Sequence, residues 1–244
     1  MKRLFDVLIS FIGLVFVMPI LIVVILLIWK IDKKSPFYIA PRVGKNSKIF
    51  NMVKLRTMIF NADRTGVDST GNNDERITPI GHIIRKYKLD EIPQLWNVLL
   101  GDMSLVGPRP NVKRETDLYT NVEKDLLLVK PGITDFSSIV FSDEGKILED
   151  KKDPDLAYNQ LIRPWKSRLG LIYIKNQSVL LDIYILIFTL LSFFSKKKTL
   201  NWIALKLDSL GAEKDLIKIS RREIELTPHP PPGLNEIIKS RNKE

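Results

Sequence analysis

Hydrophobic residues dominate one long segment near the start of the chain. Residues 7–29 carry no charged side chain, and basic residues flank the segment on both sides. These 23 residues are enough to span a bilayer as a helix. Pro19, near the middle, removes a backbone hydrogen bond and clashes with the preceding turn. The pattern leaves two alternatives: a kinked helix that spans the membrane, or a helical hairpin that breaks at Pro19 and returns to the same face.

Short strand-like runs follow the hydrophobic segment and predict a small β-hairpin. The runs are residues 37–42 and 49–56, and residues 44–47, Gly-Lys-Asn-Ser, form the turn between them. Lys54 and Arg56 are two positions apart, so on a strand they share one face. That face is either solvated or available to bind an anion. Residues 61–75 are polar and contain glycine, which predicts a loop that could cover a site.

The pattern over residues 78–101 predicts two helices. Thr78 and Pro79 are typical of an N-cap and a first helical position. The apolar stripe that follows is expected to be buried: Ile80, Ile83, Ile84 and Tyr87. The second helix has Asp90 and Glu91 at its start and Gly101 as its stop signal. Its apolar positions recur three and four residues apart: Ile92, Leu95, Trp96 and Leu99.

The second half of the chain predicts further helices. Residues 111–128 and a segment that begins at Asp153 are expected to be helical. Residues 179–194 are strongly apolar, apart from Asp182, but they are short for a membrane span. Three lysines follow them, which favours a helix lying along the membrane surface. A buried core helix is the alternative.

Composition narrows the classes of function. The 244 residues are 45% hydrophobic, which is enough for one domain-sized core. With no cysteine and two histidines, the chain excludes disulfides and cysteine-bound metals and argues against a histidine-rich zinc site. The formal net charge of +10 suits a polyanionic partner, either nucleic acid, anionic lipid or a nucleotide. The basic residues are spread along the chain, without the clustering on one helix that favours nucleic-acid binding.

Asp90 and Glu91 are the candidate reactive groups. They stand at a predicted helix N-terminus, where free N–H groups and the helix dipole also attract anions. Arg109 is held between two prolines, and basic residues lie around the two acids in sequence: Arg85, Lys86, Lys88 and Arg109. This combination could hold a phosphate beside a carboxylate. The simpler alternative is that the two acids only cap the helix.

Three motifs carry a resemblance to a known family. Residues 89–110 read L-D-E-I-P-Q-L-W-N-V-L-L-G-D-M-S-L-V-G-P-R-P, residues 54–58 read K-L-R-T-M, and residues 130–134 read K-P-G-I-T. Together with the proline-containing N-terminal segment, they resemble the bacterial sugar transferases, the small monotopic phosphoglycosyl transferases. The resemblance extends from about residue 1 to about residue 194. A near-contiguous match as long as residues 89–110 is highly specific.

The resemblance implies an enzyme that transfers a sugar-1-phosphate from a UDP-sugar to undecaprenyl phosphate and releases UMP. This would be the first membrane step of surface glycan or glycoprotein biosynthesis. The resemblance also implies that Asp90 is the nucleophile of a covalent intermediate and that Glu91 holds Mg²⁺. Substrate phosphates would bind to four basic residues: Lys54, Arg56, Arg85 and Arg109.

The implied architecture is α+β and mainly helical. Residues 1–34 would be a re-entrant membrane anchor broken at Pro19, and residues 35–200 a catalytic domain with the β-hairpin and interfacial amphipathic helices. Residues 201–244 would be a charged C-terminal extension. The catalytic domain would lie on the cytoplasmic face of the bacterial inner membrane. A homo-oligomer is compatible with this reading, and nucleic acid is not an expected partner.

The chain departs from the family pattern after residue 134. Many relatives continue with G-W-A-Q, whereas this chain has Asp-Phe-Ser-Ser-Ile at residues 135–139. Contacts to the sugar are expected in this region, so the identity of the sugar is left open. The alternative function is a catalytically inactive membrane-anchored scaffold of a polysaccharide assembly complex. The intact D-E, K-L-R-T-M and P-R-P elements argue against that alternative.

Overall fold

The computed structural model describes residues 1–62, 74–149 and 151–240. Most of the loop predicted at residues 61–75 therefore lies outside the described residues. Within the described ranges the fold is α+β and mainly helical, as predicted, with four short strands. The strands are β1 (Phe37–Val43), β2 (Ile49–Leu55), β3 (Ser104–Val106) and β4 (Gly132–Thr134).

Eleven α-helices occur in the same described ranges, and they differ greatly in length. The longer ones are α1 (Lys2–Asp32), α2 (Pro79–Lys86), α8 (Arg163–Lys175), α9 (Val179–Ser192), α10 (Lys196–Ser209) and α11 (Lys214–Arg221). The shorter ones are α3 (Gln94–Leu100), α4 (Lys113–Asp117), α5 (Phe136–Val140), α6 (Glu144–Leu148) and α7 (Pro154–Ala157). Single 3₁₀ turns and one π-helical segment, Tyr158–Ile162, link several of them.

The N-terminal segment forms one continuous helix, α1, which runs through Pro19. The predicted helical hairpin is therefore not confirmed. At 1.5 Å per residue, the 31 residues of α1 extend about 46 Å. Among the described residues, α1 is the one helix that is long and apolar enough to cross a membrane. Leu21 and Ile28 pack against Leu55 and Ile84, while most of the other apolar side chains of α1 are exposed.

Both ends of α1 contact the rest of the protein through charged side chains. At the N-terminal end, Lys2 donates a hydrogen bond of 2.6 Å to Asp182 of α9. Asp6, which is 2% exposed, accepts hydrogen bonds from the Ser104 hydroxyl and the Leu105 backbone N–H. At the other end, Asp32 pairs with Arg56. The helix is thus attached to one folded body at its first and last turns.

The two small sheets bring the sequence motifs together. β1 and β2 form the predicted antiparallel hairpin, whose register pairs Phe37 with Leu55. β3 and β4 pair in parallel. A Cβ added to Gly132 would stand 2.1 Å from the backbone nitrogen of Gly107, so only glycine permits this approach. The close approach places the K-P-G-I-T motif directly beside the segment that leads into Arg109.

The main core lies between the β3–β4 pair and helices α5, α8, α9, α10 and α11. Phe136 and Tyr173 are fully buried in it. Helix α9 covers this core with Leu181 and Ile185, while Leu190 on its other side is 63% exposed. The helix therefore has a buried and an exposed apolar face, and its predicted position along a membrane surface is not confirmed.

Two expectations differ from the observed structure in detail. Residues 111–128 are not one helix: α4 ends at Asp117, and Thr120 and Glu123 exchange hydrogen bonds at the start of the 3₁₀ helix Glu123–Leu128. The stripe of α2 is only partly covered: Ile84 is buried, but Ile83 and Tyr87 are each 57% exposed. The boundary expected between residues 200 and 201 stays a prediction; both residues belong to α10, which contributes side chains to the main core.

Candidate active site

The two adjacent carboxylates lie in a tight turn between α2 and α3. Lys88 adopts a left-handed backbone conformation with φ 53°, and the 3₁₀ turn Leu89–Glu91 follows it. Helix α3 begins only at Gln94, after Pro93. Asp90 and Glu91 thus precede the helix by a turn instead of occupying its first turn. The positive φ of Lys88 redirects the chain so that both acids face the β1–β2 hairpin and Arg109.

Glu91 is held by two cationic side chains. The guanidinium of Arg109 donates to both carboxylate oxygens of Glu91, with Nη1 to Oε2 at 3.1 Å and a second bond from Nη2 to Oε1. Lys54 donates to Oε1 at 3.3 Å. Burial alone would raise the pKa of Glu91, but Arg109 and Lys54 together lower it well below its usual range. Glu91 is therefore an ionised carboxylate fixed in one orientation.

Asp90 has a different environment from its neighbour. Among the described residues its side chain accepts no hydrogen bond, and the nearest cation is Lys54 at 3.8 Å. The side chain is 14% exposed. Burial raises the pKa of Asp90; Lys54 opposes this shift, and the negative charge of Glu91 adds to it. Two adjacent acids thus have pKa values moved in opposite directions, and Asp90 is the one whose oxygens are available for reaction.

Arg109 is positioned by the β3–β4 pair. It also donates a hydrogen bond of 2.8 Å from Nη1 to the backbone carbonyl of Ile133. Ile133 belongs to the K-P-G-I-T motif, so this bond joins that motif to the P-R-P segment. The planar guanidinium fits a carboxylate with two parallel bonds in a way that lysine does not. In this structure Arg109 therefore orients Glu91, although the sequence predicts a phosphate-binding role for it.

Arg85 and Lys88 supply further positive charge at this site. Arg85 donates a hydrogen bond of 2.8 Å from Nε to the Thr57 hydroxyl, and Asp90 contributes to its electrostatic surroundings. Burial lowers the pKa of Lys88, and the charges of Glu91 and Arg109 act on it in opposite directions. Lys88 is among the basic residues that the sequence places around the two acids, whereas Thr57 lies outside the predicted set. Its position in the K-L-R-T-M motif is the signal that could have identified Thr57.

Arg56 does not join the other predicted phosphate-binding residues. Both of its Nη atoms donate to the carboxylate of Asp32, at 2.6 and 2.7 Å. Its Nε donates to the backbone carbonyl of Ser35. Strand β2 ends at Leu55, before Arg56, so the alternation that would place Arg56 and Lys54 on one face does not extend to it. Arg56 holds the last turn of α1 in place.

The site places cations and carboxylates side by side. The cations Lys54, Arg85, Lys88 and Arg109 lie around Asp90 and Glu91. Asp74 also acts electrostatically on Arg85, and Asp135 acts on Lys88 and Arg109. Because arginine and lysine are suited to phosphate oxygens, the site can bind an anionic phosphate ester next to a carboxylate that accepts no hydrogen bond among the described residues.

The carboxylates can also take part in a magnesium site, as the resemblance implies. No group of three or more histidine, cysteine, aspartate or glutamate residues that could hold a metal occurs in the described ranges. Magnesium commonly uses one or two protein carboxylates together with substrate phosphates and waters. Oε2 of Glu91 accepts one hydrogen bond and a carboxylate oxygen has two lone pairs, so Glu91 retains capacity for a metal.

Comparison with known proteins adds independent information. A family model described as bacterial sugar transferase matches residues 1–196. The exopolysaccharide production protein ExoY of Sinorhizobium fredii is 38% identical over 148 residues, which are 54% of this chain and 66% of that protein. The undecaprenyl-phosphate galactose phosphotransferase of Salmonella typhimurium is 38% identical over 149 residues, 55% of this chain and 31% of that protein.

A third relative aligns over more of the chain. The UDP-glucose:undecaprenyl-phosphate glucose-1-phosphate transferase of Klebsiella pneumoniae is 32% identical over 200 residues. The alignment covers 80% of this chain and 40% of that protein. In each of the three comparisons, the chain spans less than two thirds of the relative's own length.

Replacement of Arg109 by lysine tests the orienting role of the guanidinium. Arg109→Lys keeps the charge but removes the second bond to Glu91, and one charge-assisted hydrogen bond is worth about 1.5–3 kcal/mol. We expect turnover to fall about 10- to 100-fold while the protein still folds. The matched control is Arg42→Lys. Arg42 is a half-buried arginine of β1 that donates a hydrogen bond to the Pro41 carbonyl. Equal turnover in both variants would contradict the role of Arg109.

Replacement of Lys54 by methionine tests the pKa of Asp90. Lys54 is the cation that most opposes the upward pKa shift, so without it the carboxylate forms only at higher pH. A reaction that requires ionised Asp90 is lost as pH falls through this pKa. The acid limb of kcat/KM should therefore move to higher pH in Lys54→Met and stay in place in Lys45→Met, which alters the hairpin turn. An unmoved acid limb in Lys54→Met would show that Asp90 does not titrate in the reaction.

Proposed function

The chain belongs to the bacterial sugar transferase family, and on that premise we propose that it transfers a sugar-1-phosphate from a UDP-sugar to undecaprenyl phosphate. UMP would be released, and the reaction would begin the assembly of a surface glycan or glycoprotein. The observation that carries this proposal is the contrast between the two acids: Glu91 is fixed by Arg109 and Lys54, while Asp90 is free to react. Two relatives are named for transfer to undecaprenyl phosphate, which supports the choice of acceptor.

In the first step, a carboxylate oxygen of Asp90 attacks the phosphorus that carries the sugar. The bond between this phosphorus and the oxygen that bridges to UMP breaks, and UMP leaves with the bonding electron pair. Asp90 becomes an acyl phosphate that bears the sugar-1-phosphate. Covalent catalysis of this kind divides one difficult phosphoryl transfer into two easier ones.

In the second step, a phosphate oxygen of undecaprenyl phosphate attacks the same phosphorus. The bond between phosphorus and the Asp90 oxygen breaks, which restores the carboxylate. The product is a polyprenyl diphosphate linked to the sugar. A carboxylate nucleophile suits this sequence because the acyl phosphate is itself a good phosphoryl donor.

The surrounding cations would stabilise the charge that develops during both steps. Arg85 and Lys88 have no carboxylate bonded to them among the described residues, so they are the groups best able to contact the transferred phosphate. Arg109 and Lys54 would keep Glu91 in place. Magnesium held by Glu91 and the substrate phosphates would neutralise phosphate charge when bound. Preorganised charges of this kind commonly account for a large part of phosphoryl-transfer catalysis.

The proposal includes a membrane anchor that enters and leaves on the cytoplasmic face of the inner membrane. One substrate is soluble and the other is retained in the bilayer, so the site must lie at the interface. The attachment of both ends of α1 to one folded body supports ends on the same side of the membrane, because either the Lys2–Asp182 or the Asp32–Arg56 pair would have to break in a spanning helix. The re-entrant form also requires α1, which is continuous in this structure, to bend at Pro19. One relative is named for galactose and another for glucose, so the proposal specifies only a sugar-1-phosphate.

The alternative of an inactive scaffold is disfavoured by the same contacts. An inactive scaffold would not need to hold Glu91 in one orientation while Asp90 accepts no hydrogen bond. The two bonds from Arg109 to Glu91 and the bond from Lys54 preserve this difference. Turnover of a UDP-sugar separates the two possibilities.

The covalent intermediate is the most direct test of the proposed reaction. Protein incubated with a panel of UDP-sugars and Mg²⁺, without a lipid acceptor, should gain one sugar-phosphate mass and release one UMP with the right donor. Intact-protein mass spectrometry measures the adduct, and peptide mapping should place it on Asp90. Asp90→Asn should form none, since an amide is a much poorer nucleophile than a carboxylate.

A matched variant separates the roles of the two acids. Glu91→Gln should still form the adduct, but more slowly, and excess Mg²⁺ should partly restore its rate. UMP release that requires both substrates from the start would indicate direct displacement, in which Asp90 is not the nucleophile. An adduct on any other residue would overturn the assignment as well.

Labelling of introduced cysteines tests the proposed topology, since the natural chain has none. A cysteine inserted after Met1 leaves the Lys2 pair intact, and Lys34→Cys marks the other end of α1. In sealed vesicles, a membrane-impermeant maleimide should label both positions from the side that also labels Lys45→Cys in the hairpin turn. Pro19→Ala restores a backbone N–H and should shift a fraction of molecules toward labelling from opposite sides. Opposite-side labelling of the natural helix would establish a spanning anchor.

A further inference from the structure

An apolar groove lies between the end of α1 and the start of α2. It has a volume of about 420 Å³ and is lined by Leu27, Lys30, Ile31, Pro79 and Ile80. Lys30 is the one charged side chain in this lining, and its long apolar stem can cover the groove while the ammonium group stays in water. None of these residues has a role in the proposed reaction, so the groove requires a separate explanation.

An exposed apolar strip continues from the groove along α2. Pro79, Ile83 and Tyr87 are four residues apart, a spacing that places side chains on the same face of a helix. Ile83 and Tyr87 are each 57% exposed, although apolar side chains of this size favour burial. The strip follows a helix of eight residues, or about 12 Å at 1.5 Å per residue.

The two ends of the strip have opposite chemical character. The groove end adjoins Leu27 and Ile31 of α1, the helix with the composition of a membrane segment. The other end reaches Tyr87, directly before Lys88 and close in sequence to Asp90. Arg85, on the packed side of the same helix, is directed to Thr57 and interacts electrostatically with Asp90. The strip thus leads from an apolar end to the turn that carries Lys88 and Asp90.

Helix α2 is held firmly enough to define this path. A Cβ added to Gly81 would stand 2.0 Å from the backbone oxygen of Thr57, so α2 packs directly on the chain that follows β2. The Thr78 N–H donates to the same oxygen at 3.0 Å. Ile80 packs in the small cluster that includes Leu21, Ile28 and Ile84. The groove and the reactive turn are therefore connected by one rigid element.

We infer that the groove and the exposed strip of α2 bind the isoprenoid chain of the polyprenyl phosphate acceptor, with its phosphate directed to Arg85 and Lys88 beside Asp90. This inference rests on the proposed function. The occupant must be anionic at one end and apolar over a long distance, and this surface presents the complementary groups in that order. A UDP-sugar has one ring that can stack, the uracil, and its sugar and diphosphate are polar, so it has no group that would cover both the strip and the apolar groove.

Separate assays of the two half-reactions test this inference in the full-length protein. Ile83→Gln removes apolar contact from the strip without adding charge, and Ile49→Gln is the matched control, since Ile49 is 59% exposed on β2 at the far end of the hairpin. Both variants should form the Asp90 adduct and release UMP as fast as the unaltered protein does. In Ile83→Gln alone, KM for undecaprenyl phosphate should rise about tenfold, which corresponds to about 1.4 kcal/mol of lost binding.

The length of the acceptor provides a second measurement. Geranyl phosphate, with two isoprene units, occupies less of the strip and groove than undecaprenyl phosphate. Leu27→Gln, at the groove end, should therefore weaken the long acceptor several-fold and leave the short acceptor nearly unchanged. An equal loss for both acceptors, or no loss for either, would overturn the inference.

The outcomes distinguish this inference from the proposed function. If the unaltered protein forms no adduct with any UDP-sugar and Mg²⁺, the proposed covalent mechanism fails. If the adduct forms and Ile83→Gln transfers to undecaprenyl phosphate as well as Ile49→Gln does, the mechanism stands and the acceptor site lies elsewhere. The two failures therefore cannot be confused.

Photolabelling tests the identity of the occupant. A diazirine-bearing polyprenyl phosphate should label peptides that contain residues 27–31 or 79–87, and unlabelled undecaprenyl phosphate should suppress this labelling. Equal suppression by phosphatidylglycerol would show a general lipid-contacting surface and overturn the specific assignment. Labels confined to the exposed face of α9 would overturn it as well.

Discussion

The paired hydrogen bonds between Arg109 and Glu91 are the interaction on which the candidate site depends. Arg109 is itself fixed by the Ile133 carbonyl and by the close approach of Gly107 and Gly132. Asp90, the preceding residue of the same tight turn, accepts no hydrogen bond among the described residues and has Lys54 as its ion-pair partner at 3.8 Å. One ion pair therefore orders one of two adjacent carboxylates, and two short strands bring together the motifs that form this pair.

Much of this site could be predicted because its residues occur in three recognisable motifs. Lys54, Arg85 and Arg109 do lie around Asp90 and Glu91, as expected. Arg56 could not be placed correctly, since its partner Asp32 lies in a different predicted segment and the strand ends one residue earlier. Periodicity also predicted the apolar stripe of α2, but it did not show which side chains of the stripe are buried. That depends on the elements that pack against the helix, and here Ile83 is left exposed.

Helices α1 and α2 connect the long apolar segment to the candidate site. The anchor helix uses its few charged side chains, among them Lys2, Asp6 and Asp32, for contacts with the folded body, and leaves its apolar side chains outside. Helix α2 packs against that anchor at one end and leads into the reactive turn at the other. A short helix thus connects the long apolar helix α1 directly to the turn that carries Asp90 and Glu91.

The contact between Lys2 and Asp182 also sets an order of events during synthesis. The two residues are 180 positions apart, and at about 5–20 residues per second a ribosome needs roughly 9–36 s to make the intervening chain. During that interval α1 is complete while Lys2 has no Asp182 to bind. Residues 98–106, which also contact the start of α1, emerge earlier. The contacts of α1 with the segment around β3 can therefore form before its contact with α9.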